Sequence, residues 1–248
     1  MFALGLVLSL AIGISLGLFG GGGSILTVPV LHYVFRVEAH DAIAMSLIVV
    51  GATSLVAVVP HARAGRVRWR VGLAFGAASV VTAFAGGRLG AMLAGEALIA
   101  AFALVMLAAG GAMLVRARVS PATGDTGDVR MARVIAVGLG TGLLTGLLGA
   151  GGGFVIVPAL TLFGGLAIRD AVGTSLLVIA LNSLAGLAGV AGHAELAPRI
   201  AVSVTCVALA GSLLGARGGR RLSAQTLQGA FGWLVILVGG FILVHQLG

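Results

Sequence analysis

Apolar runs punctuated by glycine, proline and arginine divide the chain into ten segments, five in each half. In the first half they span about 2–19, 24–35, 42–60, 70–92 and 97–115; in the second, about 134–148, 153–164, 171–190, 199–221 and 226–245. Strict alternation of apolar and polar positions is absent, which argues against a β-barrel, and only helices or closed barrels satisfy the backbone in lipid. Most runs approach the ~20 residues that a helix needs to cross a bilayer. The second run of each half does not, because its dozen residues rise only about 18 Å against a hydrocarbon core of about 30 Å. The pattern therefore predicts an all-α polytopic membrane protein. The first two runs of each half form a glycine-broken helix pair, with the bend inside the protein.

The two halves are copies. GISLGLFGGGGSILTVPVL at 13–31 returns as GLLTGLLGAGGGFVIVPAL at 142–160, a shift of 129 residues. The same shift carries Asp41 onto Asp170, Ser46 onto Ser175, Ser54 onto Ser183, Arg88 onto Arg217 and Phe102 onto Phe231. Residues 1–116 read as a first membrane repeat, 117–130 as a cytoplasmic linker within the polar stretch RARVSPATGDTGDVRMAR, and 131–248 as a second repeat. A glycine-interrupted apolar segment at equivalent places in two halves points to a transport site.

Composition agrees with the membrane reading: 59% of residues are hydrophobic and 9% charged, where a soluble domain carries about 25% charge. The net charge of +8 comes entirely from arginine, and most arginines flank apolar runs. That placement suits topology and lipid headgroups rather than nucleic acid. With both termini external, the internal loops collect about twelve arginines and the external side keeps Arg36, Arg88 and Arg199, the bias of the positive-inside rule. An odd number of crossings per half then makes the duplication two inverted repeats of about five segments each. MFALGLVLSLAIGIS lacks the basic region of a signal peptide and reads as the first membrane segment. Cys206, the single cysteine, reads as a small packing residue.

The strongest candidate chemistry lies in the glycine runs before the short segments, Gly20-Gly21-Gly22-Gly23-Ser24 and Gly149-Ala150-Gly151-Gly152-Gly153. Glycine permits left-handed backbone and close approach, so several N–H groups can converge at a helix start that already carries partial positive charge. Such a turn is an anion cradle. A purely structural role in bending and close packing stays open beside it. Pro29 and Pro158 fit either, since proline frees an upstream carbonyl.

A second set lies on the third segments. Ser46 and Thr53, seven residues apart, share a helix face, and the copy carries Ser175, Asn182 and Ser183, with Thr174 in place of Met45. These groups line an anion path or hydrogen-bond neighbouring helices; Asn182 is the most telling, because a mid-membrane amide is unusual. Asp41 and Asp170 precede apolar runs as N-caps do. Arg88 and Arg217 read as interfacial anchors or as gates. Gly13/Gly17 and Gly142/Gly146 have the GxxxG spacing of packing faces. The five histidines show no metal-ligand spacing, and no nucleotide-binding, nucleophile-elbow or zinc-protease motif occurs. Neither an enzyme nor a resident metal or cofactor is expected.

Both glycine-proline motifs, together with Asp41-Ala42 and Asp170-Ala171 followed by Ser46 and Ser175, resemble the sulfite exporter family TauE/SafE over essentially the whole chain. The resemblance implies an inner-membrane permease for sulfur-containing anions such as sulfite or organosulfonates. Two departures are Ala150, where the first copy has Gly21, and the loss from the second half of the pattern Arg66-Val67-Arg68-Trp69. All seven acidic residues lie at segment ends or in loops, so no buried carboxylate relay is visible and export by alternating access, passive or weakly coupled, is the leading expectation. A non-transporting assembly or anchoring subunit and a cation permease are the alternatives. The expected partners are a small anion and the bilayer, with homo-oligomerisation left open.

Overall fold

The computed structural model describes residues 2–90, 92–93, 95–119, 131–148, 153–190, 197–219 and 222–247. Ten α-helices follow in order: α1 Phe2–Phe19, α2 Gly22–Pro29, α3 Ala39–Arg63, α4 Trp69–Gly90, α5 Gly95–Val119, α6 Met131–Leu148, α7 Gly153–Leu162, α8 Ile168–Val190, α9 Pro198–Gly218 and α10 Ala224–Leu247. No strand occurs among the described residues. Among the described residues seven helices, α1, α3, α4, α5, α8, α9 and α10, are long and apolar enough to cross a membrane.

The segments read from the sequence match these helices closely, and the differences have local causes. Helices α3 and α8 begin three residues earlier than the apolar runs, at Ala39 and Ile168. Their first turns hold Asp41 and Asp170, whose carboxylates suit the positive end of the helix dipole. Helix α9 starts on Pro198, whose fixed φ favours the first helical position. At the far end of α3, Gly65 takes φ +68. The N–H of Gly65 donates to Ala62 O at 3.0 Å and that of Arg66 to His61 O at 3.1 Å, the Schellman pattern that satisfies terminal carbonyls.

The short helices end alike in both copies. After Pro29 the chain widens into a π-helical turn, Val30–Val34, where Phe35 N donates to Val30 O at 3.2 Å and Val37 N to Leu31 O at 3.1 Å. The copy repeats both bonds, Gly164 N to Ala159 O at 3.1 Å and Leu166 N to Leu160 O at 3.1 Å. Each exit passes through a left-handed residue, Gly165 at φ +68 in one copy and Arg36 at φ +56 in the other.

Packing exchanges partners between the halves: α1 lies on α9 and α6 on α4, α3 on α9 and α8 on α4, while α3 meets its counterpart α8, α5 meets α10 and α2 meets α7. The close approaches are made by glycine. Gly13 abuts Ala208 and Gly17 abuts Ser212; Gly142 abuts Ser79 and Gly146 abuts Ala83. These are parallel pairs, and both GxxxG faces are packing faces. Counterpart helices run antiparallel: Gly51 lies by Ser183 and Gly186 by Leu47 on α3 and α8, while Gly110 lies by Ile236 and Gly239 by Met106 on α5 and α10. Helices α3 and α8 form the centre, with 67% of their membrane windows buried against 39–44% in the other spanning helices.

Candidate functional site

The glycine turn after α1 meets the start of α7 at this centre. Leaving α1, the chain turns at Gly20, φ +69, a conformation that disfavours any side chain. Gly20 N donates to Leu16 O at 2.8 Å, and Gly20 O accepts a 3.0 Å bond from Ser175 Oγ on α8. A Cβ on Gly20 would stand 2.5 Å from Val172 O and 2.6 Å from Ser175 Oγ. Gly21 rests directly on Gly153, the first residue of α7: a Cβ on Gly21 would overlap the Gly153 carbonyl, and one on Gly153 would lie 2.6 Å from Gly21 Cα and 2.7 Å from Ile179 Cδ1. Gly23 packs against Ile12 O and Leu16 on α1, and Gly22 opens α2. Gly149, Gly151 and Gly152 lie outside the described residues.

Hydrogen bonding fixes which way the first turn faces. Ser24 donates both its N–H, at 3.2 Å, and its hydroxyl, at 2.7 Å, to Gly21 O. With Gly20 O held by Ser175, two carbonyls of the turn are engaged. No side-chain cap bonds the start of α2 at Gly21, and the first N–H groups of an α-helix have no partner within the helix. Gly21 and Gly23 are buried, where backbone donors need partners. The turn presents hydrogen-bond donors at the positive end of α2.

The third-segment candidates divide. Ser46 donates to Ile43 O at 2.7 Å, Thr53 to Val49 O at 2.6 Å, and Ser175 to both Val172 O and Gly20 O. Their hydroxyl protons face the backbone. Asn182 differs: its Oδ1 accepts from Ser79 Oγ at 2.6 Å, while Nδ2 has no partner. Ser54 Oγ and Ser183 Oγ are also buried without partners. Ser175, Ile179 and Asn182 follow one face of α8 at spacings of four and three, and the first two touch the glycine turns.

Other expectations are corrected. Asp41 and Asp170 sit inside their first turns rather than at the N-cap, which at α3 is Glu38. Asp170 instead accepts from Arg68 Nε at 2.7 Å, and Arg68 N donates to Thr174 Oγ1 at 3.0 Å. The loop pattern absent from the second repeat thus fastens the α3–α4 connection to α8. Arg88 and Arg217 are exposed, Arg88 over the Phe84 ring at 4.7 Å, as anchors are. Cys206 is exposed on α9 rather than packed inside. Ser79 and His61, which reaches Gly17 O at 3.4 Å, escaped the sequence reading because the repeat has Ala208 and Val190 in their places.

The family model for sulfite exporter TauE/SafE matches residues 5–242. This chain belongs to the TauE/SafE family. Among its TauE/SafE-like relatives, a "probable membrane transporter protein" of Xylella fastidiosa is 35% identical over 237 residues, covering 94% of this chain and 91% of its own. The probable membrane transporter protein YdhB of Bacillus subtilis is 27% identical over 240 residues, covering 94% and 96%. A probable membrane transporter protein of Methanocaldococcus jannaschii is 29% identical over 187 residues, covering 73% and 69%. No solved structure matches the chain. This TauE/SafE member is a multi-pass membrane transporter.

Proposed function

We propose that the protein is an inner-membrane permease that exports a small sulfur-containing anion, sulfite or an organosulfonate, by alternating access between two inverted halves. The observation that carries this reading is the meeting of Gly21 with Gly153 at the start of α2, which no side chain caps. Backbone donors at a helix start bind oxyanions without a buried cation. Hydroxyl, amide and glycine groups at Gly20–Ser24, Gly149, Gly151–Gly153, Ser46, Thr53, Ser175 and Asn182 make up the candidate site. The antiparallel pairing of α3 with α8 and of α5 with α10 supports the inversion, and the arginine bias supports external termini. The sulfur anion comes from the family description. An inside-negative potential drives an anion outward by about 2.3 kcal/mol per charge per 100 mV.

Labelled sulfite loaded into proteoliposomes with the cytoplasmic face inside tests this. An imposed inside-negative potential accelerates efflux; efflux that ignores the potential, or no flux of any anion in a panel of sulfite, sulfoacetate, thiosulfate and sulfate, refutes it. A silent panel with wild-type folding would leave an assembly subunit.

A further inference from the structure

Resting on the anion-permease reading, we infer that Asn182 is the side-chain donor that recognises the anion and that Ser79 is the positioning residue that aims it. Ser79 is 0% and Asn182 2% exposed, so the pair lies wholly inside the protein. Their contact of 2.6 Å suits O–H···O geometry and is short for N–H···O. The Ser79 hydroxyl, whose oxygen also lies 3.1 Å from Gly76 O, donates over the shorter contact to Asn182 Oδ1, and the amide nitrogen is turned the other way. That nitrogen carries two N–H donors and has no acceptor. An unmade bond of this kind is costly in a membrane interior unless a ligand or water completes it.

Position says which ligand completes it. Asn182 continues the α8 face on which Ser175 and Ile179 touch Gly20 and Gly153, so the residue lies on the stripe that meets the start of α2. Two more polar atoms without partners, Ser183 Oγ beside it and Ser54 Oγ on α3, flank the α3–α8 crossing. A donor here attracts an oxyanion and repels a cation; the opposite amide orientation would do the reverse. The first repeat has no equivalent, because Thr53 and Ala208 occupy the matching positions and Thr53 donates to its own helix at Val49 O. Recognition by side chain is thus single, beside a glycine run that recurs in both repeats.

The full-length protein in nanodiscs, titrated with sodium sulfite, methanesulfonate or sulfate against sodium chloride at matched ionic strength, gives anion affinities from the shift in thermal midpoint. Asn182→Thr and Ser79→Ala each place the residue found in the other repeat. Both weaken the preferred sulfur anion by about tenfold or more, as expected for a lost bond to a charged ligand, while Ser79→Thr, which keeps the hydroxyl, restores it. Wild-type binding with unchanged affinity in Asn182→Thr, or equal affinity in Ser79→Ala and Ser79→Thr, overturns this inference alone. Absence of any anion shift in the wild type overturns it together with the permease reading. Should Asn182→Thr fail to fold, the Ser79→Ala and Ser79→Thr comparison decides, since a merely structural hydroxyl would alter the unliganded midpoint without changing affinity.

Discussion

Replacing Gly153 with alanine tests the meeting of the two glycine turns most directly. The added Cβ would lie 2.6 Å from Gly21 Cα and 2.7 Å from Ile179 Cδ1, where carbon atoms prefer about 3.5–4.0 Å. The shortfall is about 1 Å, and on the Gly21 side the obstacle is backbone, which cannot rotate away. Gly153 takes no left-handed φ, so the penalty comes from overlap rather than conformation. Overpacking costs about 1–3 kcal/mol, and contact with backbone puts this site near the upper end. At about 2–4 °C per kcal/mol for a chain of this length, a cost of about 3 kcal/mol lowers the thermal midpoint by about 6–12 °C. Two substitutions calibrate the scale. At Gly186 the nearest atoms are Leu47 side-chain carbons at 3.3 Å, which can shift, so alanine there costs less than about 1 kcal/mol. At Gly111 nothing lies within 4 Å, and alanine leaves stability unchanged or raises it by up to about 1 kcal/mol through helix propensity. Scanning calorimetry or intrinsic fluorescence in detergent reads the series, and anion flux in proteoliposomes falls for Gly153→Ala alone. A Gly153→Ala midpoint equal to that of Gly111→Ala would refute the contact.

Two further outcomes follow from local geometry. Arg36 holds φ +56 where the copy has Gly165, and a side chain in that conformation costs about 1–2 kcal/mol. After the entropy that glycine adds to the unfolded chain, Arg36→Gly raises stability by about 0.5–1 kcal/mol, checked by denaturant midpoint; a fall would mean that the arginine side chain holds a compensating contact. Arg68→Ala removes the ion pair to Asp170, but the Arg68 side chain is 61% exposed and that of Asp170 19%. An exposed pair is worth about 0.2–1 kcal/mol, so the loss stays below about 1 kcal/mol and shrinks at high salt through screening. A salt-independent loss would assign the effect to the loop backbone bonded to Thr174.

Much of the fold was legible because membrane helices announce themselves by length and apolarity, and because the duplication marks equivalent positions twice. The meeting of the turns at Gly21 and Gly153 rests on glycine being the residue that lets two backbones touch, so the repeated glycines were the visible trace of that contact. Helix ends were less legible: α3 and α8 begin in polar first turns that an apolar window excludes. The roles of Asp41 and Asp170 were misread for a related reason, since a carboxylate at a segment start suits both the cap and the first turn. Ser46, Thr53 and Ser175 were found as polar residues in apolar helices. Whether a hydroxyl faces a ligand or its own backbone depends on rotamer, which spacing does not encode.

The residues that make the copies differ gather at one contact. Asn182, Thr174 and the Arg66–Trp69 pattern stood out in the sequence as such departures, whereas Ser79 did not. Ser79 has Ala208 as its counterpart, Asn182 has Thr53, Thr174 has Met45, and Arg68 lies in a loop pattern without a copy. All four lie on the contact between α4, with the turn that precedes it, and α8. The matching contact between α9 and α3 lacks the Ser79–Asn182 bond, since Ala208 offers no polar side-chain atom and Thr53 donates within α3. A buried hydrogen bond contributes about 0.5–1.5 kcal/mol, and about 1.4 kcal/mol is a tenfold change in an equilibrium. Two contacts at equivalent places in the halves therefore differ by one buried bond of about that size, and the contact that has it, α4–α8, is the one that orients the Asn182 amide.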